Sequence, residues 1–451
     1  MTAHRREFLV GAGAALTTSI FTGKLRGAND RIAAAFIGVG VQGSGDMNGA
    51  MREPSLQVAA VCDVYQPNLE KAAATAEKRG HSPKSVKDFR EILADKSVDV
   101  VCIATPDHWH PYITIEACKA GKDVYVEKPL GCVVDEVRKM VEAARKYDRV
   151  VQAGTQRRSL DHVKKACEIV RNGELGPIPY VHLWNYRPEP PEGIGHTPDS
   201  DPPPGLDWDL WLGPAPKRPF NQNRFGVDPN RFSTFRYFWD YAGGQLTDNG
   251  IHVHDIMHML MNEPAPKVVT AVGAKHYLKD DRETPDTMQM TLEYPDFITS
   301  YEYRFCNGQS LIESGFQPSS GITQGLSFHG EKATLYLDDG GYQLIPEPTP
   351  RPALALRSSG QSKPPDPPVR ARGTGSSVTH WANFLDCVRT RKKPISDIEY
   401  VGRSTTACLL GNVAMRARTR IDWDDKTGTA LQKEVRPFLK REYRKPWSLA
   451  V

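Results

Sequence analysis

The sequence lacks several features that mark particular classes of protein. Its eight cysteines form no Cys-x-x-Cys pair and several sit in apolar runs, so we expect neither a disulfide framework nor a zinc site. Beyond a weakly apolar segment near the N-terminus, no stretch is apolar enough to predict a membrane span. The formal net charge is only +4 with 25% charged residues of both signs, which gives no indication of a nucleic-acid partner.

The first 30 residues are typical of an export signal and its linker. Arg5 and Arg6 are followed by Phe8 and Leu9 and then by a mildly apolar segment rich in Gly, Ala and Thr. This pattern resembles a twin-arginine signal and predicts a protein that is folded first and then exported to the periplasm. No clear small-x-small cleavage site precedes Arg31, so the pattern leaves cleavage open.

The remaining chain divides into two regions of different character. Residues 31–154 alternate short apolar runs with helical stretches, which predicts an N-terminal α/β Rossmann domain with a doubly wound parallel sheet. Residues 155–451 mix helices with strands of period two, such as DTMQMTLEYP, which predicts an α+β domain with an open, mainly antiparallel sheet. Two proline-rich loops are expected in it, at about 187–231 and 346–375.

A glycine pattern at the first strand–helix turn indicates a dinucleotide site. Gly38, Gly40 and Gly43 form GxGxxG directly after an apolar run, and Asp63 ends the next predicted strand 20 residues after the last glycine. A carboxylate there would accept hydrogen bonds from ribose hydroxyls and repel a 2′-phosphate. With no arginine directly after it, the pattern favours NAD over NADP. The alternative for Asp63 is a simple helix cap.

Two motifs follow the next strands of the same predicted sheet. TPDHWH begins at Thr105 and VEKPL begins at Val126, both at carboxyl strand ends, where ligands bind in such sheets. Lys128 precedes Pro129, which restrains its backbone, and could polarise a hydroxyl or carbonyl there. The alternative is a solvated lysine at a strand end.

The segment GGQLTDNGIHVHD, beginning at Gly243, carries a candidate acid–base pair. On a helix Asp248 and His252 are four residues apart and share one face, with Asp255 near it, so a carboxylate could orient a general base. The alternative is a capping aspartate and a core histidine. His252 and His254 would point to different faces, so we expect no metal site.

Taken in order, GVGVQG, TPDHWH, EKP, AGTQRRS and GGQLTDNGIHVHD resemble the glucose–fructose oxidoreductase/inositol dehydrogenase (Gfo/Idh/MocA) family. The resemblance implies a bound nicotinamide cofactor, a sugar or polyol substrate, and homo-oligomers formed through the C-terminal sheet. It implies catalytic roles for Lys128, Asp248 and His252. Cofactor contacts are expected from Gly38, Gly40, Gln42, Gly43, Asp63, Thr105, His108, His110, Glu127 and Gln156. Substrate contacts are expected from Arg157, Trp239, Tyr241 and Asp255.

The function expected on this basis is an exported NAD-dependent oxidoreductase that acts on a secondary hydroxyl or carbonyl of a sugar or polyol. His252 would accept the hydroxyl proton, Asp248 would stabilise the resulting imidazolium, and Lys128 would lower the pKa of the hydroxyl. Outside the cytoplasm the cofactor would have to be held tightly and recycled in place. Two alternatives stay open: a glycoside-cleaving enzyme that works by transient oxidation and elimination, and a non-catalytic sugar-binding protein.

Overall fold

The computed structural model describes residues 31–226, 233–262, 265–308, 324–348, 366–373 and 377–451. The predicted export signal, with Arg5 and Arg6, lies outside the described residues, as do parts of both proline-rich loops. Within the described ranges no helix is long and apolar enough to cross a membrane.

The first domain is built on a six-stranded sheet whose neighbouring strands all run parallel, in the order β3-β2-β1-β4-β5-β6. Its strands are β1 Ile32–Ile37, β2 Leu56–Cys62, β3 Lys84–Val86, β4 Val100–Ile103, β5 Asp123–Val126 and β6 Val151–Ala153. The helices between them are α1 Val41–Ala50, α2 Gln66–Glu77, α3 Phe89–Ala94, α4 His110–Lys119 and α5 Val134–Lys146. Every residue of β4 and β5 is buried, as expected for continuous apolar strands covered on both faces. The predicted doubly wound parallel sheet is confirmed.

The second domain contains a ten-stranded mixed sheet in the order β16-β15-β14-β13-β7-β12-β11-β10-β17-β18. Its strands are β7 Tyr180–Tyr186, β10 Val268–Ala274, β11 Thr287–Glu293, β12 Ile298–Arg304, β13 Gln324–His329, β14 Ala333–Asp338, β15 Gly341–Pro346, β16 Val369–Arg372, β17 Ile421–Asp424 and β18 Thr429–Ala430. All neighbours are antiparallel except β7 and β12. On β11, Met288, Met290 and Leu292 are buried while Gln289 and Thr291 are exposed, which confirms the predicted half-buried strand.

Three long helices cover the inner face of this sheet: α6 Asp161–Arg171, α9 Ile251–Met261 and α11 Ile398–Ala417. A further helix, α10 Ser377–Thr390, returns to the first domain, where Trp381 stacks on Tyr125 with ring centroids 4.4 Å apart. Residues beyond 154 therefore complete the core of the first domain.

Four short elements interrupt the first predicted proline-rich loop. Residues 199–226, here called the strap, contain β8 Asp199–Ser200, α7 Trp208–Leu212, β9 Phe220–Asn221 and α8 Gln222–Phe225. Stacked tryptophans, Trp208 on Trp211 at 4.7 Å, give the strap an apolar centre of its own. The strap crosses to the first domain, where the Gln66 amide donates to the Gly205 carbonyl and the Asp207 amide to the Val64 carbonyl, both at 3.0 Å.

Candidate functional site

A cavity of about 330 Å³ lies at the carboxyl ends of β1, β2, β4 and β5. Open α/β sheets bind ligands at this edge, where the strand order reverses between β1 and β4. One wall belongs to the first domain, another to the strap through Leu210, Trp211 and Phe225, and the third to the segments around Phe235 and Asp248.

The glycine loop forms one end of the cavity, and two of its glycines are packed closely against neighbouring backbone. Gly38 has φ of 81°, and a side chain there would meet the Thr105 amide nitrogen at 2.7 Å. A Cβ on Gly43 would lie 1.9 Å from the Gly38 carbonyl oxygen, so the third glycine lets α1 pack on the loop. Gly40 precedes the first turn of α1 and lines the cavity, as does Gln42. This arrangement fits a pyrophosphate at a helix N-terminus.

Asp63 lines the part of the cavity in which the ribose of a dinucleotide would be expected. Its carboxylate accepts hydrogen bonds from the Val39 and Tyr65 amides, both at 2.9 Å, and from the Asn68 side chain at 3.3 Å. Removal from water raises the pKa of Asp63 to about 6 against those hydrogen bonds. The carboxylate lines the cavity and is oriented from three sides, which fits recognition of ribose hydroxyls.

The predicted cofactor contacts on the next strand ends also lie along the cavity. His110 has one ring nitrogen 2.8 Å from the Thr105 carbonyl and the other 2.7 Å from the Pro129 carbonyl, so its ring joins the two strand-end loops. Glu127 accepts a hydrogen bond of 2.9 Å from Gln156. Burial raises the pKa of Glu127 to about 7.

At the opposite end, one carboxylate holds two cations. Lys128 lies 3.0 Å from one carboxylate oxygen of Asp248 and donates to its carbonyl at 2.9 Å, while the Arg236 Nε lies 3.0 Å from the other carboxylate oxygen. Burial alone would raise the pKa of Asp248, but Arg236 and Lys128 outweigh it and hold that pKa well below its usual range. Asp248 therefore favours the carboxylate form, and its carboxylate and carbonyl hold the Lys128 side chain at the cavity wall.

His252 lines the same cavity but is not paired with Asp248. Both carboxylate oxygens of Asp248 face cations instead, and within the described residues the buried Nδ1 of His252 has no hydrogen-bond partner. The predicted i, i+4 helix is also modified, because Leu246–Gly250 form a π-helical turn before α9 begins. Burial lowers the pKa of His252 well below 6.5, as do the positive charges of Arg157 and Lys128, so the ring is neutral.

Two predicted substrate contacts are used in ion pairs away from the cavity. Asp255 accepts two short hydrogen bonds from Arg158, at 2.6 and 2.7 Å, inside the second domain. Arg157 contacts the two carboxylate oxygens of Asp339 through its Nη2 and Nε atoms, at 3.0 and 2.9 Å. Neither residue lines the cavity.

Three aromatic predictions are likewise placed behind the cavity wall rather than in it. His108 and Tyr241 are fully buried and pack against each other and against Trp211. Trp239 faces a separate cavity, where the Arg416 guanidinium lies 4.6 Å from its ring centre. The His108 and Tyr241 rings support the wall by packing against Trp211, which lines the cavity.

Several lining residues were not identified from sequence. Arg187, Arg236 and Asn249 line the substrate end, and no local pattern in the sequence distinguishes them. Asp107 also lines the cavity and stands inside the TPDHWH motif, so its position after β4 was the available signal. Within the described ranges no group of three or more His, Cys, Asp or Glu residues is arranged to hold a metal ion.

Comparisons with known proteins agree with this architecture. A family profile described as oxidoreductase family, NAD-binding Rossmann fold, matches residues 32–155, and its companion, the C-terminal alpha/beta domain of the same family, matches residues 191–298. Levoglucosan dehydrogenase, solved with NADH and levoglucosan, superposes with a TM-score of 0.63 over 87% of this chain and 99% of that one, at 17% identity. Such a likeness shows the shared fold.

Individual relatives match mainly one part of the chain. Inositol 2-dehydrogenase of Salmonella typhimurium is 30% identical over 155 residues, which is 34% of this chain and 45% of that protein. A glycosyl hydrolase family 109 protein of Shewanella is 27% identical over 174 residues, 32% of this chain and 38% of that protein. The chain thus spans less than half the length of these curated relatives. Both domains nevertheless carry one family's signature, and the chain belongs to the Gfo/Idh/MocA oxidoreductases, with an NAD-binding Rossmann domain at its N-terminal side.

Proposed function

We propose that the protein transfers hydride between NAD and a secondary hydroxyl or carbonyl carbon of a sugar or polyol. The observation that carries the proposal is a single cavity that joins the glycine loop to Lys128, Asp248 and His252. A lysine held by an aspartate and a histidine whose pKa is lowered are suited to alcohol oxidation, which needs a group to stabilise the substrate oxygen and a base to take its proton.

Lys128, His252 and Asp248 would each have a different role in the transfer. NAD bound at the glycine loop would supply the hydride acceptor. The Lys128 ammonium, fixed by Asp248, would stabilise negative charge that develops on the substrate oxygen. His252 would accept the hydroxyl proton, because its ring is neutral and lines the cavity. Asp248 would act through Lys128 rather than by stabilising the imidazolium.

The test is turnover of NAD with a panel of sugars and polyols, followed by the absorbance of reduced nicotinamide. Lys128→Met and His252→Ala should each lower kcat/KM about 10²–10⁴-fold while nucleotide binding persists. Lys84→Met is the matched control, since Lys84 pairs with Glu91 on the exposed surface. Full activity of Lys128→Met, or no turnover by a protein that binds NAD and folds, would refute the proposal.

A glycoside-cleaving reaction by transient oxidation and elimination is the second candidate. The similarity to a glycosyl hydrolase family 109 protein favours it. Release of a chromogenic leaving group from aryl glycosides, without net reduction of NAD, would identify this reaction. Sugar binding detected by fluorescence with no turnover of either kind would instead identify a non-catalytic sugar-binding protein.

We also propose that the protein is exported with its cofactor already bound and recycles it in place. Two observations support this: the Arg5–Arg6 pattern, and the strap, which covers the dinucleotide edge at Val64 and Gln66. Protein purified without added nucleotide should then release stoichiometric NAD on denaturation. Replacing both arginines with lysine should keep the protein in the cytoplasm. An empty protein would contradict cofactor retention.

We further propose that copies of the chain associate into a homo-oligomer through the outer face of the ten-stranded sheet. Its outer face exposes large apolar side chains, with Val272 71% and Ile298 45% exposed. Sedimentation of the wild type should show a multimer, and Val272→Asp should shift it toward the monomer. A monomeric wild type would refute this part alone.

A further inference from the structure

The carboxyl of Asp107 is a titratable group in the cavity that the proposed hydride transfer does not use. Asp107 begins a 3₁₀ turn, Asp107–Trp109, directly beyond β4 and lines the cavity although it is only 6% exposed. Within the described residues no other residue donates a hydrogen bond to its carboxyl, which is approached only by the backbone amide of Asp107 itself. Burying a carboxylate without a partner from another residue costs free energy, and a proton on the carboxyl or a ligand beside it would reduce that cost.

The charges around Asp107 explain why it receives no counter-ion. The groups that face it are Asp248, Arg236 and Lys128, with the Cys132 thiol also near. Both cations are committed to Asp248, one on each carboxylate oxygen. Burial and the negative charge of Asp248 raise the pKa of Asp107 to about 8. The pKa values of two carboxyls in one cavity are thus displaced in opposite directions.

We propose that Asp107 is a proton-carrying substrate contact, whose carboxylic acid donates a hydrogen bond to a sugar oxygen beside the one held by Lys128 and His252. The identity of the ligand as a sugar or polyol rests on the proposed function. A neutral acid suits that role because it presents a donor and an acceptor together, as a vicinal hydroxyl does.

Kinetic comparison of two variants tests the contact. Asp107→Ala removes the donor and should lower kcat/KM about 10- to 100-fold. Asp107→Asn keeps a donor of similar shape and should be less impaired. Wild-type activity should fall above about pH 8 as Asp107 loses its proton, and Asp107→Asn should not show that fall. Full activity of Asp107→Ala, or an alkaline fall that persists in Asp107→Asn, would overturn the contact.

A second measurement detects the proton without any turnover. The pKa of Asp107 is higher in the folded chain than the value of about 3.9 expected when unfolded, so the unfolded chain loses the proton first as pH rises. Wild-type stability should therefore decrease between about pH 5 and about pH 8 by an amount that Asp107→Asn does not share. The melting temperature of Asp107→Asn minus that of wild type should rise across this interval. Asp386→Asn, at an exposed carboxyl on α10, should give a flat difference.

The two measurements separate the possible failures. If the melting difference rises but no sugar or polyol is turned over, the proposed function fails while the proton on Asp107 stands. If the difference is flat while turnover is present, the proton on Asp107 is refuted and the proposed function stands.

Discussion

At the residue scale, the charge of each aspartate in the site depends on the side chains beside it. Asp248 lies between Lys128 and Arg236 and stays ionised, whereas Asp107, in the same cavity, has no cation in direct contact. The chemistry of the two aspartates is identical in water. Their difference arises from burial and from the neighbours that the fold provides.

The Asp248 carboxylate should also be important for stability. In Asp248→Asn two buried cations lose their common counter-ion, which should cost about 3–5 kcal/mol of unfolding free energy. Denaturant titration at neutral pH measures this cost. Glu91→Gln, which breaks an exposed pair with Lys84, should cost less than about 1 kcal/mol. Equal costs for the two variants would mean that the buried cluster is not stabilised by its charges.

At the element scale, the contact between α1 and the glycine loop should tolerate no side chain. Gly43→Ala would push a Cβ against the Gly38 carbonyl, now 1.9 Å from the ideal Cβ position, and so displace the helix N-terminus from the cavity. We expect NAD affinity to fall at least about 10-fold, which corresponds to about 1.4 kcal/mol. Calorimetric titration measures this change.

Gly45 in the same helix gives a matched control. It is exposed, and a Cβ there meets nothing within 4 Å, so Gly45→Ala should stabilise the chain by roughly 0.5–1 kcal/mol and leave NAD binding as it was. Normal NAD affinity in Gly43→Ala would show that the loop adapts and that the close approach is not required.

At the scale of the whole molecule, the C-terminal segment ties the strap to the first domain. Trp447 packs edge-on against Trp109, with ring centroids 4.8 Å apart, and against Tyr112 at 5.1 Å. Trp109 in turn donates a hydrogen bond of 2.9 Å to the Trp211 carbonyl at the cavity wall. Arg444 donates to the Gly213 carbonyl, at the end of α7, from the other side.

Removing this tie should affect both stability and cofactor release. Trp447→Ala loses ring contacts with Trp109, Tyr112 and Phe89 and should lower the unfolding free energy by about 1–3 kcal/mol. Release of bound NAD, followed by fluorescence after dilution, should become faster because the strap loses support. Leu431→Ala, at a side chain 76% exposed, should change neither quantity. An unchanged release rate in Trp447→Ala would uncouple the tail from the strap.

Local patterns accounted for much of the first domain and part of the site. The strands β1, β2, β4, β5 and β6 coincide with short, mainly apolar runs that are recognisable in the sequence. The glycine loop and Asp63 were recognisable because their spacing is set by one turn and one helix. Asp107 was missed although its motif was recognised, because nothing local indicates that a carboxyl will lack a partner.

The sequence by itself determined the class of fold and the dinucleotide edge, because backbone geometry within βαβ units places the glycine loop, Asp63 and Lys128 at the carboxyl ends of the strands. Only the tertiary structure decided that His252 reaches the cavity from the second domain and that Asp248 pairs with Lys128 and Arg236 instead of His252. It also decided that His108 and Tyr241 pack behind the cavity wall, and that the strap and the tail pack against the first domain beside the cavity. These contacts join residues far apart in the chain. They depend on long-range packing and on which charged groups come close in the folded chain. Neither produces a repeating pattern in the sequence from which it could be predicted.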